Sequence, residues 1–204
     1  MNIYVIRHGE TDWNTVKRLQ GTTDIPLNQN GIQMAEQTSN GLNKEGIKFD
    51  LIYSSPLIRA YKTAQIMAQQ SNCPIIKDER LREFNFGEAE GHTLDELKAD
   101  PKYQNLVYWF TESSKYKAEL GAESLESLFD RIDSFFNDKV LPFEDKYENI
   151  LLVVHGGVVR GVTNYLTKEG IAGFCKVKIP NCGVNLFTLK NGKYDVQYIG
   201  KTFY

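Results

Sequence analysis

Residues 150–154, Ile-Leu-Leu-Val-Val, are apolar at every position. A half-buried strand alternates apolar and polar side chains. A short run without alternation reads instead as a strand covered on both faces, the kind found at the centre of a parallel sheet. This run ends in His155-Gly156-Gly157, and a second run, Ile3-Tyr4-Val5-Ile6, ends in Arg7-His8-Gly9. In open α/β sheets, functional groups collect beyond the carboxyl ends of the strands. If the two strands are neighbours, His8 and His155 face each other at that edge.

The rest of the chain supplies the layers such a sheet needs. Residues 17–28 are rich in turn formers and read as a loop. Asn28 caps a helix running to about Lys44, with Ile32, Ala35 and Leu42 on its apolar face and Gly46 past its end. Phe49 to Ser54 is a second strand, and Ser55-Pro56 has the cap and first-position chemistry of a following helix that carries Arg59 in its first turn. Ile75-Ile76 is a further short strand. Residues 93–116 give mixed helical signals. Leu125, Leu128, Phe129, Ile132, Phe135, Phe136 and Val140 recur at helical spacing and read as a core stripe. Val158 to Leu166 is a helix, and Val184–Leu189 and Tyr194–Ile199 flank Asn191-Gly192, a strong hairpin turn signal. These readings predict an α/β fold, a three-layer α/β/α arrangement with a mostly parallel central sheet, helices on both faces and a small helical cap. Residues 1–204 are read as one domain, with the cap inserted at about 84–122.

Composition narrows the partners. The chain has 24 basic and 26 acidic residues, a net charge of −2. So balanced a chain has no electrostatic footprint for nucleic acid or an anionic membrane. An anionic small molecule would have to be held by a few placed arginines. Cys73, Cys175 and Cys182 are odd in number and lack zinc-like spacing, which fits a reducing, cytoplasmic compartment. No signal sequence precedes the first strand, and no apolar run is long enough to span a bilayer. A homodimer is compatible with the sequence.

The candidate site combines Arg7 and Arg59, whose guanidinium forks suit phosphate oxygens, with His8 and His155 and the amides of helix N-termini. That is an anion pocket sized for one phosphate. Simpler roles compete for each residue. Glu83 reads as a surface carboxylate paired with Arg82, Arg59 as a solvated helix charge, and His155 as a core histidine. His92 reads as a loop residue near the cap, and the aromatic residues between Phe84 and Phe110 as cap packing.

The string Arg7-His8-Gly9-Glu10-Thr11 after an amino-terminal strand resembles the signature of the histidine phosphatase superfamily, which includes cofactor-dependent phosphoglycerate mutases. The resemblance extends to Ser54-Ser55-Pro56-Leu57-Ile58-Arg59, Leu81-Arg82-Glu83-Phe84-Asn85-Phe86-Gly87 and His155-Gly156. It implies that His8 is phosphorylated, that Arg7, Arg59, His155 and Gly156 bind the phosphoryl group, and that Asn14 lines the pocket. It also implies that Glu83 is the acid/base, and more loosely that Gln20 and Gly21 touch substrate. No metal or other cofactor is implied. Mutase relatives carry a longer insertion with a basic pair for a second anionic group. Here, between Phe84 and Ser124, the basic residues other than His92 are Lys98, Lys102, Lys115 and Lys117, and Glu88 and Glu90 follow Glu83 closely. A pocket fringed by carboxylates suits a second phosphate poorly, so the expected activity is hydrolysis of a small phosphomonoester. The Thr23-Asp24-Ile25-Pro26-Leu27 loop is similar to that of relatives acting on α-ribazole phosphate or fructose 2,6-bisphosphate. The alternatives are a phosphoglycerate mutase and a catalytically silent phospho-ligand binding module. Metal-assisted hydrolysis is disfavoured by the lack of close ligand pairs, and dinucleotide binding by the lack of GxGxxG after the first strand.

Overall fold

A computed structural model describes residues 1–174 and 178–204. Its sheet has six strands in the order β3-β2-β4-β1-β5-β6. The strands are β1 (Asn2–Arg7), β2 (Leu51–Ser54), β3 (Ile75–Lys77), β4 (Asn149–Val154), β5 (Val184–Lys190) and β6 (Lys193–Lys201). β3, β2, β4 and β1 run parallel, and the β5–β6 hairpin adds to β1 through an antiparallel pairing. The apolar run at 150–154 is indeed central. Ile150, Leu152 and Val154 join one core, and Leu151 and Val153 join the other, because successive side chains of a strand point to opposite faces.

The helices are α1 (Asp12–Thr15), α2 (Gln29–Lys44), α3 (Ile58–Ser71), α4 (Leu94–Ala99), α5 (Gln104–Thr111), α6 (Leu125–Lys139) and α7 (Gly156–Thr167). α2 and α3 cover the face bearing Tyr4, Ile6 and Ile52, burying Ala35, Leu42, Ala60, Ala64 and Met67. α6 and α7 cover the other face with Leu128, Ile132, Phe135, Phe136, Val158 and Val162. Phe84, Phe86 and Trp109, from the segment preceding α6, are buried in that same core. Each fully buried aromatic of this kind stabilises the fold by about 1.5–3 kcal/mol relative to exposure. The architecture is the three-layer α/β/α fold with a small helical cap.

Local boundaries follow from capping chemistry. Asn28 caps α2 by accepting from Gly31 N, and Ser124 caps α6 by accepting from Ser127 N. The mixed stretch at 93–116 resolves into α4 and α5 joined by a 3-10 turn at Pro101–Tyr103. Pro101 lacks the amide that would continue α4, and Asp100 caps the new turn through Lys102 N. Two boundaries beside the candidate site differ from the expectation, as does the start of β2, at Leu51 instead of Phe49. Ser55 is not the cap of α3, which begins at Ile58 with Leu57 in the cap position and no side-chain cap. α7 begins at Gly156, two residues before the expected start. In both cases the residues concerned lie at the carboxyl edge of the sheet. Among the described residues no helix is long and apolar enough to cross a membrane. Cys73 and Cys182 are not joined in a disulfide, and Cys175 lies outside the described residues.

Candidate active site

β1 and β4 are parallel neighbours with Arg7 opposite Val154, so the two strand-to-histidine turns emerge side by side. The rings of His8 and His155 lie 5.1 Å apart. His8 Nδ1 is 2.7 Å from its neighbour Gly9's carbonyl oxygen. A carbonyl only accepts, so Nδ1 carries the proton and Nε2 carries the lone pair. That lone pair accepts from Arg59 Nε at 3.2 Å. Burial, then the charges of Arg59 and Arg7, holds the His8 pKa well below the ordinary histidine value.

His155 is fully buried, and its Nε2 lies 2.7 Å from Ser55 Oγ. Ser55 Oγ accepts from Leu57 N and keeps a hydrogen and a second lone pair, so the tautomer of His155 sets the direction of their bond. With the Ser55 hydrogen directed at Nε2 the His155 proton sits on Nδ1, and Nδ1 is buried without a hydrogen-bond partner. Arg7 Nη1 donates to Ile179's carbonyl at 2.8 Å, while Arg7 Nε is likewise buried and unpartnered. Buried polar atoms without partners call for an acceptor, and Arg7 lines the same cavity as His8. Burial lowers the pKa values of His155 and Arg7.

Arg59 enters from the first turn of α3 and is itself fully buried. Its Nη1 and Nη2 donate to the carbonyls of Thr23 and Gly21, at 2.8 and 2.6 Å. Burial pushes its pKa down to about 10. The carbonyls that orient it belong to a loop that Glu90 holds. The Glu90 carboxylate accepts from Thr22 N, Thr22 Oγ1, Thr23 N, Thr23 Oγ1 and Phe86 N, at 2.5–3.2 Å. Gly21 sits at φ +51°, where a Cβ would lie 2.0 Å from Glu90 Oε1, so no other residue fits there.

Glu83 lies across the same space. Its carboxylate accepts from Phe84 N at 2.8 Å and from Gly157 N at 3.1 and 3.2 Å, at the amino terminus of α7. It is not paired with Arg82, which bonds Glu79 at 3.3 Å. Asn14 completes a capping box with Thr11, its Oδ1 accepting from Thr11 and from Asn181 Nδ2. The Asn14 NH2 is therefore the part left to face a ligand. Asn181 also donates to His8's carbonyl at 3.0 Å.

These groups line an open cavity of about 160 Å³. Of the residues expected from sequence, Arg7, His8, Asn14, Gln20, Gly21, Arg59, Glu83 and Gly156 line it. His155 is absent from the wall, with its ring 5.1 Å from that of His8. Phe86, Trp109 and Phe110 line the cavity, whereas Tyr103 and Tyr108 do not. His92 packs beside Tyr103, with ring centroids 5.2 Å apart, away from the cavity. Glu88 and Glu90 do not fringe the pocket as expected. Glu88 pairs with Lys102 at 2.7 Å, and Glu90 is committed to the loop. Sequence reasoning missed Arg18, Gly157 and Arg160 in the wall and Asn181 behind it. The spacing of Arg160, one helical turn after Gly156, could have pointed to it.

The chain matches the family described as Histidine phosphatase superfamily (branch 1) over residues 3–202. The chain belongs to the histidine phosphatase superfamily. As an enzyme of this superfamily it has relatives of both branches of activity. It is 36% identical over 203 residues to phosphoglycerate mutase-like protein 4 of Arabidopsis thaliana, spanning 97% of this chain and 84% of the relative. It is 33% identical over 190 residues to a 2,3-bisphosphoglycerate-dependent phosphoglycerate mutase of Buchnera aphidicola, spanning 80% and 83%. Among solved structures, a mutant phosphoserine phosphatase from Entamoeba histolytica in complex with phosphoserine superposes with a TM-score of 0.84 at 28% identity, covering 98% of this chain and 96% of that one. A phosphoserine phosphatase from that organism has also been solved with 3-phosphoglyceric acid.

Proposed function

We propose that this histidine phosphatase hydrolyses a small phosphomonoester without a metal, through a phosphohistidine at His8. One observation carries the reading. The His8 Nε2 lone pair is held unprotonated at a cavity whose wall includes Arg7, and Arg7 Nε is buried without a partner. A phosphoryl group in this cavity satisfies the Arg7 donor while presenting phosphorus to the lone pair.

The reaction divides into two steps. His8 Nε2 attacks phosphorus in line as Arg59 Nε turns from the lone pair to a phosphoryl oxygen. Arg7, Arg59 and His155 stabilise the charge on the equatorial oxygens, as does the amino terminus of α7 at Gly156. Glu83 in its acid form protonates the departing alkoxide, then as carboxylate takes a proton from the water that cleaves phosphohistidine. Asn14, Gln20 and Gly21 bound the substrate, and residues 84–122 act as the cap. Three cysteines without a pairing pattern fit a cytoplasmic enzyme.

A second reading, a phosphoglycerate mutase, is favoured by one finding. The carboxylates expected to repel a second anion face away from the cavity, and Arg18 and Arg160 line it. The test is turnover of a phosphomonoester panel with chelator present, including 3-phosphoglycerate with and without its bisphosphate. Release of inorganic phosphate is expected. Interconversion of phosphoglycerates with little phosphate released would make the protein a mutase.

A further inference from the structure

The aim of His8 depends on the carbonyl of Gly9, which accepts from His8 Nδ1 at 2.7 Å. That carbonyl sits on the residue type with the widest backbone freedom. A side chain is excluded there, because a Cβ on Gly9 would lie 2.4 Å from the carbonyl oxygen of Gly31, where α2 presses on the turn. The position of the Gly9 carbonyl is therefore set by what holds the turn. Two side chains hold the peptide group between His8 and Gly9. Asn181 Nδ2 donates to the His8 carbonyl at 3.0 Å. At the other end, Gly9 N donates to Thr63 Oγ1 at 3.1 Å. Thr63 stands on α3, one turn after Arg59, and is fully buried. Its hydroxyl donates to Arg59's carbonyl at 2.8 Å, the bond that a helical threonine makes to the carbonyl four residues back. That bond uses the hydroxyl hydrogen, and an amide can only donate, so the direction of both bonds is fixed. One oxygen thus joins two residues that hold the imidazole. Gly9 meets its Nδ1, and Arg59 meets its Nε2. Thr63 is not among the residues of the cavity wall.

We infer that Thr63 is a positioning residue for the nucleophile: its hydroxyl fixes the Gly9 carbonyl, and through it the direction of the His8 Nε2 lone pair. The inference rests on the reading of His8 as the nucleophile. Thr63 acts on attack and not on phosphate binding, because the Arg59 guanidinium keeps its bonds to Gly21 and Thr23 whatever stands at position 63.

The test compares Thr63→Val, which keeps the shape and removes the hydroxyl, with Thr63→Ser, which keeps the hydroxyl. Thr63→Ala joins them because it differs from Thr63→Ser by the hydroxyl alone, so this pair decides the matter even if Thr63→Val does not fold. The first readout is the single-turnover rate of phosphohistidine formation from a labelled phosphomonoester. At saturation it should fall about tenfold to a hundredfold in Thr63→Val and Thr63→Ala, the scale of a misaimed attacking atom. Half-saturation should stay within about twofold of the parent value, and Thr63→Ser should keep its rate within about threefold. The second readout is one that lost stability alone would not move, the proton NMR signal of His8 Nδ1–H. It should lie downfield in the parent protein and be missing from His8→Ala. It should shift upfield in Thr63→Val and Thr63→Ala and stay in place in Thr63→Ser. Rates in the variants without the hydroxyl that match Thr63→Ser, or an unmoved Nδ1–H signal in them, would overturn the positioning role. A parent protein that forms no phosphohistidine would instead overturn the nucleophile reading beneath it.

Discussion

His8 is unprotonated because of its surroundings. Its Nδ1 proton is fixed on Gly9's carbonyl, and burial with Arg59 and Arg7 disfavours a second proton on Nε2. Residues that touch no phosphate keep the geometry around it. A Cβ at Gly157 would lie 2.6 Å from Glu83 Oε1 and 3.3 Å from both Phe84 Cβ and Trp109 Cζ2. Gly157→Ala should therefore push Glu83 off the α7 amino terminus. We expect turnover to fall at least about tenfold in steady-state assays, with about 1–3 kcal/mol of stability lost by overpacking. Unchanged turnover would show that the Glu83 position is not needed for the chemistry. Arg7 and His8 were legible because they sit where a strand ends, Arg59 gained from its place in the first turn of a helix, and Glu83 was reached only through the family resemblance. Ser55 was misread as a helix cap because its hydroxyl is taken by His155, a residue 100 positions away.

At the scale of elements, the loop carrying Gly21 and Thr23 is a bracket between Glu90 and Arg59. Glu90 gathers five donors, and the loop's carbonyls in turn aim the guanidinium that meets His8. Glu90→Gln places an amide NH2 among donors. Leaving even one of them unsatisfied costs about 1–3 kcal/mol. The expected outcome is a raised KM and a lowered kcat together, each by about tenfold, since Arg59 would serve both binding and transfer. Kinetics like those of the parent protein would mean that Arg59 is held without the bracket. None of this was readable from the local sequence, where Glu90 is one more acidic residue near Glu83. Four of its five donors come from a loop almost 70 positions earlier, and only the folded loop brings them together.

Across the whole molecule, the sheet order that sets β4 beside β1 also buries two histidines at its edge. The uninterrupted apolarity of 150–154 made that central strand legible. Burying both histidines has a consequence for stability. Both His8 and His155 have folded-state pKa values below the ordinary value near 6.5. In the unfolded chain they take up protons as pH falls through 6.5, while in the folded chain they do not. Stability should therefore be level above about pH 7 and decline below 6.5, by up to about 1.4 kcal/mol per pH unit for each histidine. Chemical denaturation between pH 5 and 8 measures this, and His155→Gln should remove part of the slope. A parent protein with no loss of stability between pH 6.5 and 5 would contradict the buried, neutral state of both rings.

The central claim is that His8 becomes phosphorylated. The direct measurement is rapid acid-free quenching after mixing with a ³²P-labelled phosphomonoester, followed by gel autoradiography with and without acid treatment. The account predicts an acid-labile, base-stable label on the parent protein and none on His8→Ala. A label that persists in His8→Ala, or one that survives acid, would contradict it.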